Sequence, residues 1–141
     1  MKVFLDLGAI IPVRAHSKDA GLDLHTPIDF KVSPLHPAII HTGVHVQLPY
    51  DTAGLLVAKS GLNVKNDLTS TGLIDEGYTG EIVVKLYKHF SFRRPWAYRF
   101  RKGDKISQLV VFQVLHPNVE LCSKFDENTE RGDHGFGSTG R

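Results

Sequence analysis

The chain has 141 residues, 41% of them hydrophobic and 23% charged, with a formal net charge of +2, which are the proportions of one globular domain large enough to bury a core. No apolar run approaches the roughly 18 residues that span a bilayer, Met1-Lys2-Val3 opens no signal-peptide pattern, and the lone Cys122 excludes a disulfide framework or a cysteine metal site. A cytoplasmic location is expected, or the reducing interior of a host cell if the chain is viral.

Glycine and proline are scattered throughout, so the elements should be short. Val3-Phe4-Leu5 opens a strand, and Ala20 to His25 and Ile28 to Val32 read as two more. Pro34 and Pro37 break the chain. Ala38 to Leu48 follows, with Val44, Val46 and Leu48 alternating against His45 and Gln47, the period of a half-buried strand. Pro49-Tyr50-Asp51 is a turn, and Leu55 to Ala58 a buried strand. Ser60-Gly61-Leu62-Asn63 starts one short helical turn with Ser60 as its N-cap. Two glycine-containing turns in 72–80 then bracket Asp75 and Tyr78. The strand after them has Ile82, Val84 and Leu86 on one face and Val83, Lys85 and Tyr87 on the other.

Residues 88–102 hold six of the 17 Lys and Arg and none of the acids. Trp96, Tyr98 and Phe100 alternate there with Ala97, Arg99 and Arg101, which predicts a strand with an aromatic face. Two readings stand: a hairpin packed on the barrel with its arginines outward, or an added surface for nucleic acid or a protein partner, since interleaved rings and arginines stack bases and bind phosphates. Ile106 to Leu115 is apolar on both faces and needs cover on both, one of which a subunit interface can supply. After about Ser123 apolar residues all but vanish. Residues 131–141 contain four glycines and one aromatic, the composition of a tail that is mobile when empty. The sum is an all-β sandwich or jelly-roll-like barrel over residues 1–122, with a flexible C-terminal tail over 123–141.

Five short patterns carry the chemistry. They are Ala20-Gly21-Leu22-Asp23-Leu24, Lys59-Ser60-Gly61-Leu62, Gly72-Leu73-Ile74-Asp75-Glu76-Gly77-Tyr78-Thr79-Gly80, Gly103-Asp104-Lys105-Ile106-Ser107-Gln108-Leu109, and Arg131-Gly132-Asp133-His134-Gly135-Phe136-Gly137-Ser138-Thr139-Gly140. In this order and spacing they resemble the trimeric dUTP diphosphatase (dUTPase) family, from about Ala20 to the end of the chain. The resemblance implies a distorted jelly-roll barrel with at most one short helix, assembled as a homotrimer with shared active sites. It implies Mg²⁺-dependent hydrolysis of dUTP to dUMP and pyrophosphate by water attack on the α-phosphorus, which keeps uracil out of DNA and supplies dUMP for dTMP synthesis.

The family's roles carry over position by position. Asp75 would hold the attacking water, which a carboxylate does well only when that water is fixed and aimed. Tyr78 would close against the sugar and exclude a ribose 2′-hydroxyl. The backbone near Gly72, Leu73 and Ile74 would read uracil, and cytosine would leave buried groups there unpaired. Lys59, Ser60, Gly61 and Gln108 would bind the phosphates. Asp23 would stand near the metal, through water, in a site that suits Mg²⁺. Arg131, Phe136, Gly137, Ser138 and Thr139 would form a phosphate-wrapping tail closing over a neighbour's site. Three positions depart from the family: Thr69 stands where many members have Asn, Lys59 where most have Arg, and His134 where most have Gly.

Each residue also has a plainer reading: a turn Asp bonding its own backbone for Asp75, strand packing for Tyr78, a strand-edge charge for Asp23, capping for Ser60, a backbone-satisfied polar group for Gln108, and disorder for the tail. Two rival functions remain at this stage, a dCTP deaminase-like enzyme of the same fold and a non-catalytic nucleotide-sensing regulatory trimer.

Overall fold

The computed structural model describes residues 1–125 and Gly132. In chain order its elements are β1 (Lys2–Leu5), β2 (Gly21–His25), β3 (Phe30–Val32), β4 (Ala38–Gln47), β5 (Thr52–Val57), α1 (Ser60–Asn66), β6 (Leu68–Thr69), β7 (Thr71–Ile74), β8 (Glu81–Lys88), β9 (Tyr98–Phe100) and β10 (Lys105–Gln113). Two four-stranded sheets, β1-β4-β8-β6 and β2-β10-β5-β7, are accompanied by a two-stranded ribbon of β3 and β9. Every strand pairing is antiparallel. Leu24, Val44, Leu56, Leu68, Ile82, Val84, Leu86, Ile106 and Leu109 form the centre of the core. The expected all-β architecture with one short helix is therefore present. No helix among the described residues is long and apolar enough to cross a membrane.

The period-two readings hold where the strands are regular. In β8, Ile82, Val84 and Leu86 are buried while Val83, Lys85 and Tyr87 face outward. Lys88 continues the inward face and is itself buried. Its ammonium donates to Asn66 O at 3.0 Å, so a charge on the core side of a strand caps the C-terminal end of α1.

Four local expectations need correction. Ser60 is not the N-cap: Lys59 holds that place in an extended conformation, with no side-chain cap bond, and Ser60 is the first residue of a seven-residue helix. Gly72 lies inside the edge strand β7, paired with Leu56, and not in a turn. The aromatic strand shrinks to Tyr98–Phe100, leaving Trp96 outside it. That strand makes no hairpin with β8 but pairs with β3, far back in the chain, where the Phe30 and Phe100 rings stack at 4.7 Å. The arginine-outward part of the first reading does hold, since Arg99 and Arg101 are exposed.

Two irregularities set up the site. The β4–β8 ladder breaks between His41 and His45. There the buried Thr42 hydroxyl donates to Ile82 O at 2.6 Å, and the Gly43 N–H donates to a Glu81 carboxylate oxygen at 2.7 Å. In β10 the register with β2 shifts between Lys105 and Ser107. Such a bulge reverses the alternation beyond it.

Candidate functional site

Asp23 lies on β2, is 1% exposed, and its N–H donates to Val13 O at 2.8 Å. Its Oδ1 accepts from Lys59 Nζ at 2.5 Å and from Gln108 Nε2 at 3.2 Å, and its Oδ2 lies 2.7 Å from Lys105 Nζ. Burial pushes the Asp23 carboxyl up, but Lys105, Lys59 and Gln108 together hold it below its ordinary value. This cluster draws on three distant segments: β2, the N-cap of α1 just after β5, and β10. Lys105 and Gln108 are three residues apart, and in an unbroken strand they would face opposite sides. The β10 bulge turns both onto one carboxylate. Gly21 completes the fit, because a Cβ there would lie 3.0 Å from Gln108 Cβ and 3.2 Å from its Cδ. The absent side chain lets Gln108 reach across to Asp23.

Lys105 belongs to a motif read from the sequence but received no role there, since alternation gave no reason to aim it at Asp23. His25 was also missed. It is buried two residues beyond Asp23, opposite Lys105, and its Nδ1 has no hydrogen-bond partner among the described residues. Burial lowers its pKa, the two lysines lower it further, and Asp23 acts in the opposite direction. Ser60 is exposed at the start of α1, directly after Lys59.

The second group of residues lies at the far edge of the same sheet. Among the described residues β7 pairs only with β5, so half of its N–H and C=O groups face away from the sheet, and Leu73 is exposed there. After β7 the chain turns, with Tyr78 N–H donating to Asp75 O at 3.1 Å. The Asp75 carboxylate is exposed and has no hydrogen bond or ion pair among the described residues. It is therefore not a turn Asp that bonds its own backbone. The neighbouring Glu76 does the structural work, accepting from Asp51 N–H at 2.8 Å. A cavity of about 470 Å³ opens beside this turn, lined by Leu73, Asp75, Glu76, Gly77, Ala53 and Phe112 among others.

The turn between β7 and β8 is pinned at its exit. Tyr78 donates its hydroxyl to Glu81 O at 2.9 Å. His45 brings Nδ1 to 3.0 Å from Thr79 O and Nε2 to 3.2 Å from Asp6 Oδ2. The Glu81 carboxylate holds His41 at 2.7 Å besides the Gly43 amide. Thr69 is on β6 in the other sheet, its hydroxyl 2.9 Å from His89 Nε2.

The pairings place Asp23, Gln108, Val57 and Thr71 in one row across the sheet. Three strand spacings separate the ends of that row, roughly 14 Å, and Asp75, just past the end of β7, lies four residues, roughly 13 Å, beyond Thr71. One chain thus brings Asp23, Lys59, Lys105 and Gln108 together, and separately Gly72, Leu73, Ile74, Asp75 and Tyr78, but leaves the two groups apart. Arg131, Phe136, Gly137, Ser138 and Thr139 lie outside the described residues.

As donors for a divalent cation, these residues fit an ion carried mainly by a ligand's own oxygens. Asp23 has both oxygens engaged by lysines and an amide, so it suits a place beyond the ion's water shell and not direct coordination. Asp51, Glu76 and His116 also bring ligand atoms within 4.8 Å of one another, but Glu76 is already committed to the Asp51 amide.

Comparison with known proteins gives a consistent result. A family model described as dUTPase matches residues 8–140. The deoxyuridine 5'-triphosphate nucleotidohydrolase of Clostridium novyi (strain NT) is 41% identical over 135 residues, covering 94% of this chain and 92% of that protein. The protein of the same name from Mus musculus is 37% identical over 134 residues, covering 94% and 80%. Among solved structures, the Staphylococcus bacteriophage 80alpha dUTPase with dUPNHPP superposes with a TM-score of 0.88 at 32% identity, covering 99% of this chain and 98% of that one. A mutant dUTPase from phage phi11 of S. aureus, solved for the coordination of a structural Mg(II) ion, gives a TM-score of 0.78 at 28% identity, covering 89% and 98%.

Proposed function

Because the chain belongs to the dUTPase family, we propose that it hydrolyses dUTP to dUMP and pyrophosphate, removing a source of uracil in DNA and supplying dUMP for dTMP synthesis. The observation that carries the assignment of roles is the Asp75 carboxylate: exposed, unbonded among the described residues, and set on a turn beside an open strand edge. A carboxylate in that position is free to accept a hydrogen bond from a water and aim it.

In this reading those N–H and C=O groups along Gly72, Leu73 and Ile74 that face away from β5 pair with the uracil edge, as another strand would pair with β7. A cytosine would meet donor with donor and leave the edge unsatisfied. Tyr78 stands against the deoxyribose, and Asp75 directs water at the α-phosphorus. Thr69 contributes to the base end from its neighbouring strand. The phosphates meet Lys59, Ser60, Gly61 and Gln108. Arg131, Phe136, Gly137, Ser138 and Thr139 close over them.

Mg²⁺ would be held by triphosphate oxygens and water, with Asp23 outside that shell, and it would neutralise charge on the phosphates. Asp23 also keeps Lys59 and Lys105 in place, so the arriving phosphates meet two ammonium groups already fixed side by side. The roughly 14 Å across the sheet between Asp23 and β7 supports a homotrimer in which one chain supplies β7 with the turn after it and a neighbour the phosphate residues.

The test is a product assay with Mg²⁺ and dUTP, dCTP, dTTP or UTP. Pyrophosphate from dUTP alone is expected. Ammonia from dCTP would give the function to a deaminase, and no turnover with any of the four would leave a nucleotide-sensing module. Sedimentation of the same sample should give a trimer; a fully active monomer would end the shared-site reading.

A further inference from the structure

The β3–β9 ribbon carries an arrangement that nucleotide hydrolysis does not use. Its inner side is aromatic, with Phe30 stacked on Phe100 and Tyr98 tilted against Phe100 at 4.7 Å. On its outer side Lys31 is registered directly opposite Arg99, and Arg101 follows two residues on, on the same side. All three are exposed. Like charges placed face to face across an antiparallel pair oppose the pairing.

Two acids at this end of the ribbon, Asp29 and Asp104, soften that repulsion by their charge but are bonded to backbone N–H groups and not to the cations. Asp29 Oδ1 accepts from the Lys102 N–H at 2.7 Å, and Asp104 Oδ2 accepts from the Arg101 N–H at 2.8 Å. Their carboxylates serve the backbone, and Lys31, Arg99 and Arg101 make no ion pair among the described residues. The three cations line a cavity of about 440 Å³ together with Asp29, Phe30 and Phe100. The segment leading into β9 adds exposed rings. Phe92 is 94% exposed and Trp96 51%, both packed edge-on to Phe90.

We propose that this ribbon is a docking surface for single-stranded nucleic acid, with Lys31, Arg99 and Arg101 on successive phosphates and Phe92 and Trp96 stacking bases. An extended strand of phosphates matches a group of cations that make no ion pair among the described residues. An acidic peptide would satisfy the cations but would leave the two rings without a partner, whereas every base offers a face to stack. The surface has no part in the hydrolytic site.

The test is fluorescence anisotropy of a labelled oligo-dT against salt concentration, with the full chain and excess dUMP to fill its nucleotide sites. Each phosphate contact on a single strand contributes about −0.7 to the log–log salt slope, so three contacts give a slope of roughly −2. Lys31→Ala/Arg99→Ala/Arg101→Ala should remove that slope and most of the binding, while dUTP turnover stays at its unmodified level and shows that the variant folds. Trp96→Ala should weaken binding without changing the slope. Absence of binding at low salt would overturn the proposal. So would unchanged binding by the triple variant, or displacement of the oligonucleotide by poly-glutamate as readily as by unlabelled oligo-dT, which would assign the surface to an acidic protein.

Discussion

The Tyr78 ring lies over Gly80 so closely that a Cβ at position 80 would sit 2.5 Å from the phenolic oxygen, 2.6 Å from Cζ and 2.9 Å from Cε2. No side chain fits under the ring, and the missing one at Gly80 is what seats it. The hydroxyl then reaches Glu81 O, which fixes the ring's tilt over the turn.

Gly80→Ala should therefore act on Tyr78 more than on the fold. The atoms it meets are the tip of a side chain that can swing away, so the melting temperature should move little. Once displaced, the ring no longer screens the sugar, and the ratio of kcat/KM for dUTP over UTP should fall by about 10-fold or more, the scale of a lost steric contact. Tyr78→Ala sets the limit. If Tyr78→Ala loses the discrimination and Gly80→Ala keeps it, the seat has no importance.

Asp23→Asn tests the buried cluster. The change leaves Lys59 and Lys105 facing a neutral amide and each other, and should cost about 1–3 kcal/mol in urea unfolding. This is less than for a fully enclosed pair, because the two lysine side chains keep 25% and 41% exposure. Lys59→Ala should cost less again, since Lys105 and Gln108 still serve the carboxylate. The Asp23 carboxyl titrates below its unfolded value near 3.8. Its contribution is thus complete above that pH and lost as pH falls through the lower folded value. The stability gap between the native chain and Asp23→Asn should close in acid.

These residues also mark what a sequence reader can see. Alternation found the inward face of β8 because that strand is regular. It found Asp23, Asp75, Tyr78 and Gln108 as members of motifs. It did not link Lys105 to Asp23, because a bulge breaks the parity that the argument relies on. It paired the aromatic strand with its sequence neighbour, while the Phe30–Phe100 stack and the register with β3 are long-range packing that no local pattern encodes. Ser60 looked like a cap because serine favours caps, yet the turn of the chain comes one residue earlier, at Lys59.

Asp75→Asn should leave stability within about 0.5 kcal/mol of the native chain, as for a surface change that breaks no contact, because nothing among the described residues holds that carboxylate. Binding of a non-hydrolysable dUTP analogue should persist. Turnover should fall by at least about 10²–10⁴-fold, the usual contribution of a positioned base. Near-normal turnover would remove Asp75 from its role.

His45 gives the turn between β7 and β8 a dependence on pH. Thr79 O and the Asp6 carboxylate are both acceptors, and only the protonated ring has an N–H for each. The Thr79 carbonyl first, then Asp6, raise the His45 pKa above its usual 6.5. Glu81 stands nearby as a carboxylate, since His41 and the Gly43 amide overcome the effect of burial on it. A raised folded value means that the clamp is fully present below pH 6.5 and is lost as pH rises through that folded value. The melting temperature of the native chain minus that of His45→Gln should therefore be largest near about pH 6 and shrink toward about pH 9. Amide exchange at Thr79 and Gly80 should accelerate over the same interval in the native chain only. A difference that stays flat with pH would mean that His45 holds the turn as a neutral ring through one bond.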